Sequence, residues 1–238
     1  MTNHNTEPSP QIYARAAGLL YLSIIPLGAF SLAYIPFYLV VAGDGAATAS
    51  NIIASAPIVR LSIVAALVNQ LVNIILVLVF YKLLKPASKT HASLMVVFFL
   101  VSAPITMFNE LNNIAVVLLA EGGDYLTVFT PEQLHGLMLF FLELHEYGIK
   151  IATIFWGLWL FPMGYAIVKS GYMPKFVGIL LIIACFGYLS DAFTALLLPD
   201  FGVTIEQFTF VGEVAVTLWL LFKGVDVEQW QKQALKLV

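Results

Sequence analysis

Long apolar runs separated by short polar connections constrain this chain more than any other feature. A helix needs about 20 mostly apolar residues to cross the hydrocarbon core of a bilayer. Six segments supply them: residues 16–42, 61–84, 92–120, 143–168, 176–198 and 203–222. Composition points the same way. Only 11% of the 238 residues are charged and 61% are hydrophobic, whereas soluble domains carry about 25% charged residues. Mean hydropathy is +0.93. The expected fold is an all-α polytopic membrane helical bundle with six transmembrane helices, residues 1–238 forming a single membrane domain.

Punctuation between the runs sharpens the reading. Pro26 and Pro36 lie inside the first segment and Pro104 inside the third, where proline is expected to kink a helix. Residues 44–54 read as a short capped helix outside the bilayer core, with Asp44 as its cap. Glu121, Gly122, Gly123 and Asp124 form an acidic loop. Thr130-Pro131-Glu132-Gln133 has the composition of a helix start: a capping hydroxyl, proline in the first turn and an acid to match the dipole. From residue 131 to 168 is 38 positions, which as one helix is roughly 57 Å against a core of about 30 Å. That helix must project beyond the bilayer or bend, and Gly148 is the expected bend. Residues 227–238, with Val227, Trp230 and Leu237 among Glu, Gln and Lys, read as a short interfacial helix. Residues 1–11 are polar and lack Lys or Arg, so the first run reads as a retained span, not a secretory signal.

Lysine and arginine accumulate on the cytoplasmic side of membrane proteins. Arg15, Lys82, Lys85, Lys89, Lys169, Lys175, Lys223, Lys232 and Lys236 all fall on one side of a six-span chain, leaving only Arg60 opposite and Lys150 within a span. Both termini are therefore expected to be cytoplasmic. The net charge of -3 gives no reason to expect a nucleic-acid partner. Cys185 stands alone, which excludes an intrachain disulfide and reads as a small buried hydrophobe.

Against this apolar background the stretch from Glu143 to Lys150 stands out. It holds Glu143, His145, Glu146 and Lys150, four ionisable side chains in eight residues. At 100° per residue Glu143, Glu146, Tyr147 and Lys150 share a face, while His145 points nearly opposite. Glu146 and Lys150 stand at i,i+4 with the acid first, the favourable order for an ion pair. Elsewhere Asn69, Gln70 and Asn73 sit in the second span, and Asn109, Glu110, Asn112 and Asn113 in the third. Asp191 lies in the fifth, and Glu213, with Glu206 before it, in the sixth. A charge at the bilayer centre costs about 2.5–3.5 kcal/mol, and a Leu, Ile, Phe or Val returns only about 0.3–0.6 kcal/mol. These groups are accordingly expected to face one another or a wet cavity in the non-cytoplasmic half. An isolated acid such as Glu213 or Asp191 stays neutral in low dielectric unless a cation such as Arg60 or Lys150 pairs with it.

The same residues bound the chemistry. His4, His91, His135 and His145 do not form an i,i+4 pair, the single cysteine cannot build a structural zinc site, and the Glu-x-x-His pairs of di-iron bundles are absent. No metal site is expected, no cofactor is specified and no catalytic residue is assigned. Neither a phosphate-binding glycine loop nor a nucleophile elbow occurs.

Several phrases, in order, resemble a known family. They are Ala14-Arg15-Ala16-Ala17-Gly18-Leu19-Leu20-Tyr21, Asp44-Gly45-Ala46-Ala47-Thr48-Ala49 and Glu143-Leu144-His145-Glu146-Tyr147-Gly148. Then follow Gly164-Tyr165 with Ser170-Gly171-Tyr172-Met173-Pro174, and Gly212-Glu213 with Trp219-Leu220-Leu221-Phe222-Lys223-Gly224-Val225. Together they are similar to domain-of-unknown-function family 4386, multi-pass bacterial membrane proteins. The resemblance covers nearly the whole chain. It implies a helical protein of the bacterial cytoplasmic (plasma) membrane and brings no activity with it. Lys150 stands where the family pattern often has Asp.

Three functional expectations follow. The favoured one is binding or transport of a small solute or ion by the candidate residues Arg60, Glu110, Glu143, His145, Glu146, Lys150, Asp191 and Glu213. The second is an intramembrane enzyme using His145 with Glu110 or Glu143. The third is a structural or sensory membrane component whose tail around Trp230 docks partners. The lipid bilayer is the one partner common to all three, and homo-oligomerisation is left open.

Overall fold

The structure, a computed structural model, describes residues 9–198 and 204–237. Every regular element in it is helical: α1 (Pro10–Tyr38), α2 (Gly45–Ala54), α3 (Ala56–Leu84), α4 (Lys89–Glu121), α5 (Pro131–Leu158), α6 (Leu160–Ser170), α7 (Lys175–Leu197), α8 (Glu206–Thr209), α9 (Val211–Phe222) and α10 (Val227–Ala234), with 3-10 turns at Asp124–Leu126 and Leu235–Leu237. Five helical stretches are long and apolar enough to cross a membrane: Pro10–Tyr38, Ala56–Leu84, Lys89–Glu121, Pro131–Ser170 and Lys175–Leu197. A sixth reaches that length only when Gln207–Phe222 is joined to Val227–Ala234 across a 101° bend. The protein is thus an all-α polytopic membrane bundle of five or six spans. His4, Pro199, Asp200 and the start of the expected sixth segment at Val203 lie outside the described residues.

Local chemistry explains the helix starts. Asp44 caps α2, its Oδ1 accepting from the Ala47 amide at 2.8 Å. At the head of α5, Thr130 and Gln133 form a reciprocal capping box. The Gln133 amide donates to Thr130 Oγ1 at 3.3 Å, and the Thr130 amide donates to Gln133 Oε1 at 2.9 Å. Asp226 caps α10 through the Gln229 amide at 3.0 Å.

The long fourth segment is interrupted once, at Trp159. No interruption occurs at Gly148; the helix runs through to Leu158 and restarts at Leu160. The cause is Pro162, which has no N–H and whose ring opposes the carbonyl four residues back, that of Leu158. Pro26, Pro36 and Pro104, by contrast, lie within unbroken helices.

Residues group into two compact units: Met1–Leu22, Asn73–Ser102 and Thr153–Val238 make one, and Ser23–Val72 with Ala103–Ala152 the other. In the second unit the core is aliphatic, with Ile35, Leu39, Ile52, Val59, Ile63, Val116, Val117 and Met138 all buried. In the first unit an aromatic cluster forms the centre. Tyr21 stacks on Trp159 at 6.2 Å, and Phe80 and Phe99 meet the same indole edge-on at 6.4 and 5.5 Å. Helix ends in this unit are tied together by side chains. Arg15 donates to the carbonyls of Leu220 and Phe222, both at 3.2 Å, and so satisfies the open end of α9. Tyr172 Oη and Trp230 Nε1 donate to the Leu83 carbonyl at 2.8 and 2.9 Å, closing the end of α3 and fastening α10 beneath it. Burial raises the Tyr172 hydroxyl well above its ordinary pKa and so keeps it in the donor form.

Without a hydrophobic driving force between helices in lipid, close packing at small residues holds spans together. α6 and α7 meet at Gly164 and Gly178, where a Cβ on either glycine would collide with the other's carbonyl oxygen. A Cβ on Gly136 of α5 would meet nothing within 4 Å among the described residues. Gly164→Leu is therefore expected to destabilise the detergent-solubilised protein by about 1–3 kcal/mol or to prevent folding. Gly136→Ala should stabilise it by about 0.4–1 kcal/mol. Thermal unfolding of the two variants checks the pair, and equal effects would refute the packing account.

Candidate functional site

The third span and the polar stretch of the fourth meet through a glycine. α5 presents Gly148 to Asn109 of α4, and a Cβ there would occupy the space of the Asn109 side chain. This contact lets Asn109 Nδ2 donate to the backbone carbonyl of His145 at 2.8 Å. The same turn aims the His145 ring at α4, where Nε2 lies 3.1 Å from Glu110 Oε1. Glu110 is buried, with its side chain 4% exposed, and that of His145 is 14% exposed. The second carboxylate oxygen, Oε2, accepts from Asn113 Nδ2 at 2.9 Å. With Glu110 as a carboxylate, His145 Nε2 carries the hydrogen and donates it. Asn112 closes the ring of contacts by donating to Asn109 Oδ1 at 2.9 Å.

One acceptor in this group is left over. Asn113 is 2% exposed, and its Oδ1 is buried with no hydrogen-bond partner among the described residues. Gln70 Oε1 on α3 is the other such atom. Antiparallel helices paired at Arg60 and Glu121 bring position 70 roughly level with position 111, since each helix rises about 1.5 Å per residue. A buried acceptor without a donor costs about 1–3 kcal/mol, so both oxygens mark places where a donor or cation would be welcome.

Most of the remaining candidates have other partners. Glu146 and Lys150 form their i,i+4 pair at 2.7 Å on the exposed side of α5, with the ammonium 5.2 Å from the Tyr147 ring. Glu143 is exposed on that side. Arg60 reaches both carboxylate oxygens of Glu121 at 2.6 Å, an exposed pair of the kind worth about 0–1 kcal/mol. Asp191 uses both oxygens, at 2.8 and 2.7 Å, to accept from the Ile205 amide just before α8. Among the described residues, no group of three or more His, Cys, Asp or Glu is placed to hold a metal ion.

Glu213 is 9% exposed and meets two tyrosines. Tyr21 Oη donates to one carboxyl oxygen at 2.6 Å and Tyr188 Oη to the other at 2.7 Å. Three helices, α1, α7 and α9, are thereby joined at one acid. The sequence left Glu213 either neutral or paired with a cation such as Arg60 or Lys150, and pointed to neither tyrosine as its partner. The available signal was chemical: a lone acid in an apolar span needs donors, and a span tyrosine can supply one without adding charge.

The fold and these buried polar groups define a polytopic helical membrane protein. The family model described as Domain of unknown function (DUF4386) matches residues 16–224, and the chain belongs to that family. It is also 32% identical, over 165 residues, to a protein of Archaeoglobus fulgidus named "Uncharacterized protein"; the aligned region covers 68% of this chain and 83% of the relative. No solved structure matches the chain.

Removing one donor from Glu213 leaves a buried oxygen unpaired, so Tyr21→Phe is expected to cost about 1–3 kcal/mol of stability. In a Glu213→Leu background the same change should cost markedly less, because the acceptor is gone. A double-mutant cycle on thermal unfolding measures the difference. Additive effects would show that the bond contributes nothing.

Proposed function

We propose that the protein binds a small cation or hydrogen-bond-donating solute at the Glu110–Asn113–His145 group and passes it across the membrane. The supporting observation is Asn113 Oδ1, a buried acceptor with no partner, beside a carboxylate that already has two. A ligand carrying an ammonium, a hydroxyl or a bare charge would complete that acceptor and share Glu110. Asn109 and Gly148 hold the geometry, and exposed Glu143 and Glu146 with half-buried Lys150 form the polar approach along α5. The cell membrane of a bacterium, with both termini cytoplasmic and the Glu110 group in the outer half, is the location that fits the lysine and arginine distribution.

A second reading uses the same pair differently. Glu110 against His145 has the form of a base with its orienting acid, which an intramembrane enzyme would require. Turnover of membrane-lipid substrates by the purified protein would favour that reading over transport.

The test of the first reading is ligand-induced stabilisation. Sodium, potassium, ammonium and small organic amines are each titrated against the purified protein. At 100 times its dissociation constant a bound ligand contributes about 2.7 kcal/mol, or roughly 5 °C in Tm. At least one is expected to give that rise in the wild type and none in Asn113→Leu or Glu110→Gln. If no probe shifts the transition, or both variants retain the shift, the assignment is wrong. For orientation, a fluorescent reporter fused to the C-terminus should fluoresce and an exported phosphatase fused there should be inactive. The reverse pattern contradicts the cytoplasmic placement.

A further inference from the structure

The end of α3, the α3–α4 connection, the first turns of α1 and the tail helix α10 line an open cavity of about 900 Å³. All of these belong to one compact unit. Lys82, Lys85 and Lys89 line it, and no acidic residue appears among its described lining residues. None of the three lysines is in a described ion pair. Lys82 instead rests 5.6 Å from the centre of the Tyr13 ring. The one acid of the first turn of α10, Glu228, is paired with Lys232 at 2.6 Å. Three positive charges therefore line a concave space that has no acid among its described lining residues.

The walls of that space grade from polar to apolar. Leu78, Lys82 and Lys85 fall at i, i+4 and i+7, on one side of α3 and its extension. Leu78 is 48% exposed and Leu235, opposite on the tail, 76% exposed. Tyr13, Tyr81 and Trp230 also line it, the mixture of ring and polar tip that gathers where headgroups meet acyl chains. Trp230 is fixed in position by its bond to the Leu83 carbonyl, so the cavity is held open by the fold. A soluble phosphate would use the lysines and leave the leucines unexplained. A phospholipid uses both: the phosphate among the ammonium groups, the acyl chain along Leu78.

We propose that this cavity is a binding site for an anionic phospholipid headgroup, with Lys82, Lys85 and Lys89 holding the phosphate and Tyr13, Tyr81 and Trp230 flanking the glycerol. The site shares no residue with the Glu110 group and does not depend on the solute reading. It gives α10 a purpose that an isolated interfacial helix lacks, since the tail forms one wall of a specific lipid pocket.

Native mass spectrometry of the full chain tests this, with phosphatidylglycerol, phosphatidylcholine and inorganic phosphate as separate probes. Wild-type protein should retain one phosphatidylglycerol in preference to phosphatidylcholine, and millimolar inorganic phosphate should not displace it. Juxtamembrane lysines contribute about fivefold each to binding of anionic lipid, so the Lys82→Gln/Lys85→Gln/Lys89→Gln variant should lose at least about tenfold in occupancy. A control carrying Lys169→Gln, Lys175→Gln and Lys223→Gln, with equal charge removed on the same expected side, should keep it. Quenching of Trp230 by brominated phosphatidylglycerol, read as the difference from Trp230→Phe, tests the wild-type pocket without altering a lysine. Equal loss in both lysine variants, equal retention of both lipids, displacement by inorganic phosphate or absence of Trp230 quenching would overturn the assignment.

Discussion

Carboxyl groups within the spans must find their donors in the chain itself, because the hydrocarbon core offers no water to supply them. Two acids meet this demand in different ways. Glu213 takes two neutral phenols, Tyr21 and Tyr188, and becomes a joint between three helices. Glu110 takes an imidazole and an amide, His145 and Asn113, and leaves an amide oxygen over. The first arrangement is closed: both oxygens are satisfied by aromatic donors, and one of these, Tyr21, is set in a cluster with Phe80, Phe99 and Trp159. The second is open, and the function proposed here follows from that difference.

Glycine placement converts helix packing into site geometry. Gly148 removes the side chain that would separate α5 from Asn109, which lets Asn109 bond the His145 carbonyl and turns the ring toward Glu110. A larger residue there would act on the polar group without touching it. The same device at Gly164 and Gly178 serves packing alone. What separates the two cases is the neighbour: a polar amide in one, a backbone carbonyl in the other.

Much of the architecture was legible in the sequence, and the reasons are local. Spans follow from apolar length, the α2 cap from Asp44 and the start of α5 from Thr130 and Gln133, all decided within a few residues. The interruption after Leu158 is equally local, set by Pro162 four residues on. Helix rotation was harder to read. A span that is apolar nearly all round gives no stripe to say which side faces inward, so the partners of Glu213, 192 and 25 positions away, could not be found by periodicity. Arg15 illustrates the same limit: its charge signals topology, but its bonds to Leu220 and Phe222 depend on where α9 ends. His145 was the exception, because the charged residues around it define a polar face and leave the imidazole on the other.

The central claim is that ionisable groups from separate spans meet inside the protein, with Glu110 against His145 as the functional instance. Solid-state NMR on protein labelled with ¹⁵N-histidine and ¹³C-glutamate in phospholipid bilayers measures that contact directly. The account requires a dipolar coupling between His145 Nε2 and the Glu110 carboxyl carbon, at hydrogen-bond range, that disappears in Glu110→Leu. A His145 ring that shows no such coupling and instead correlates with lipid acyl chains would contradict it.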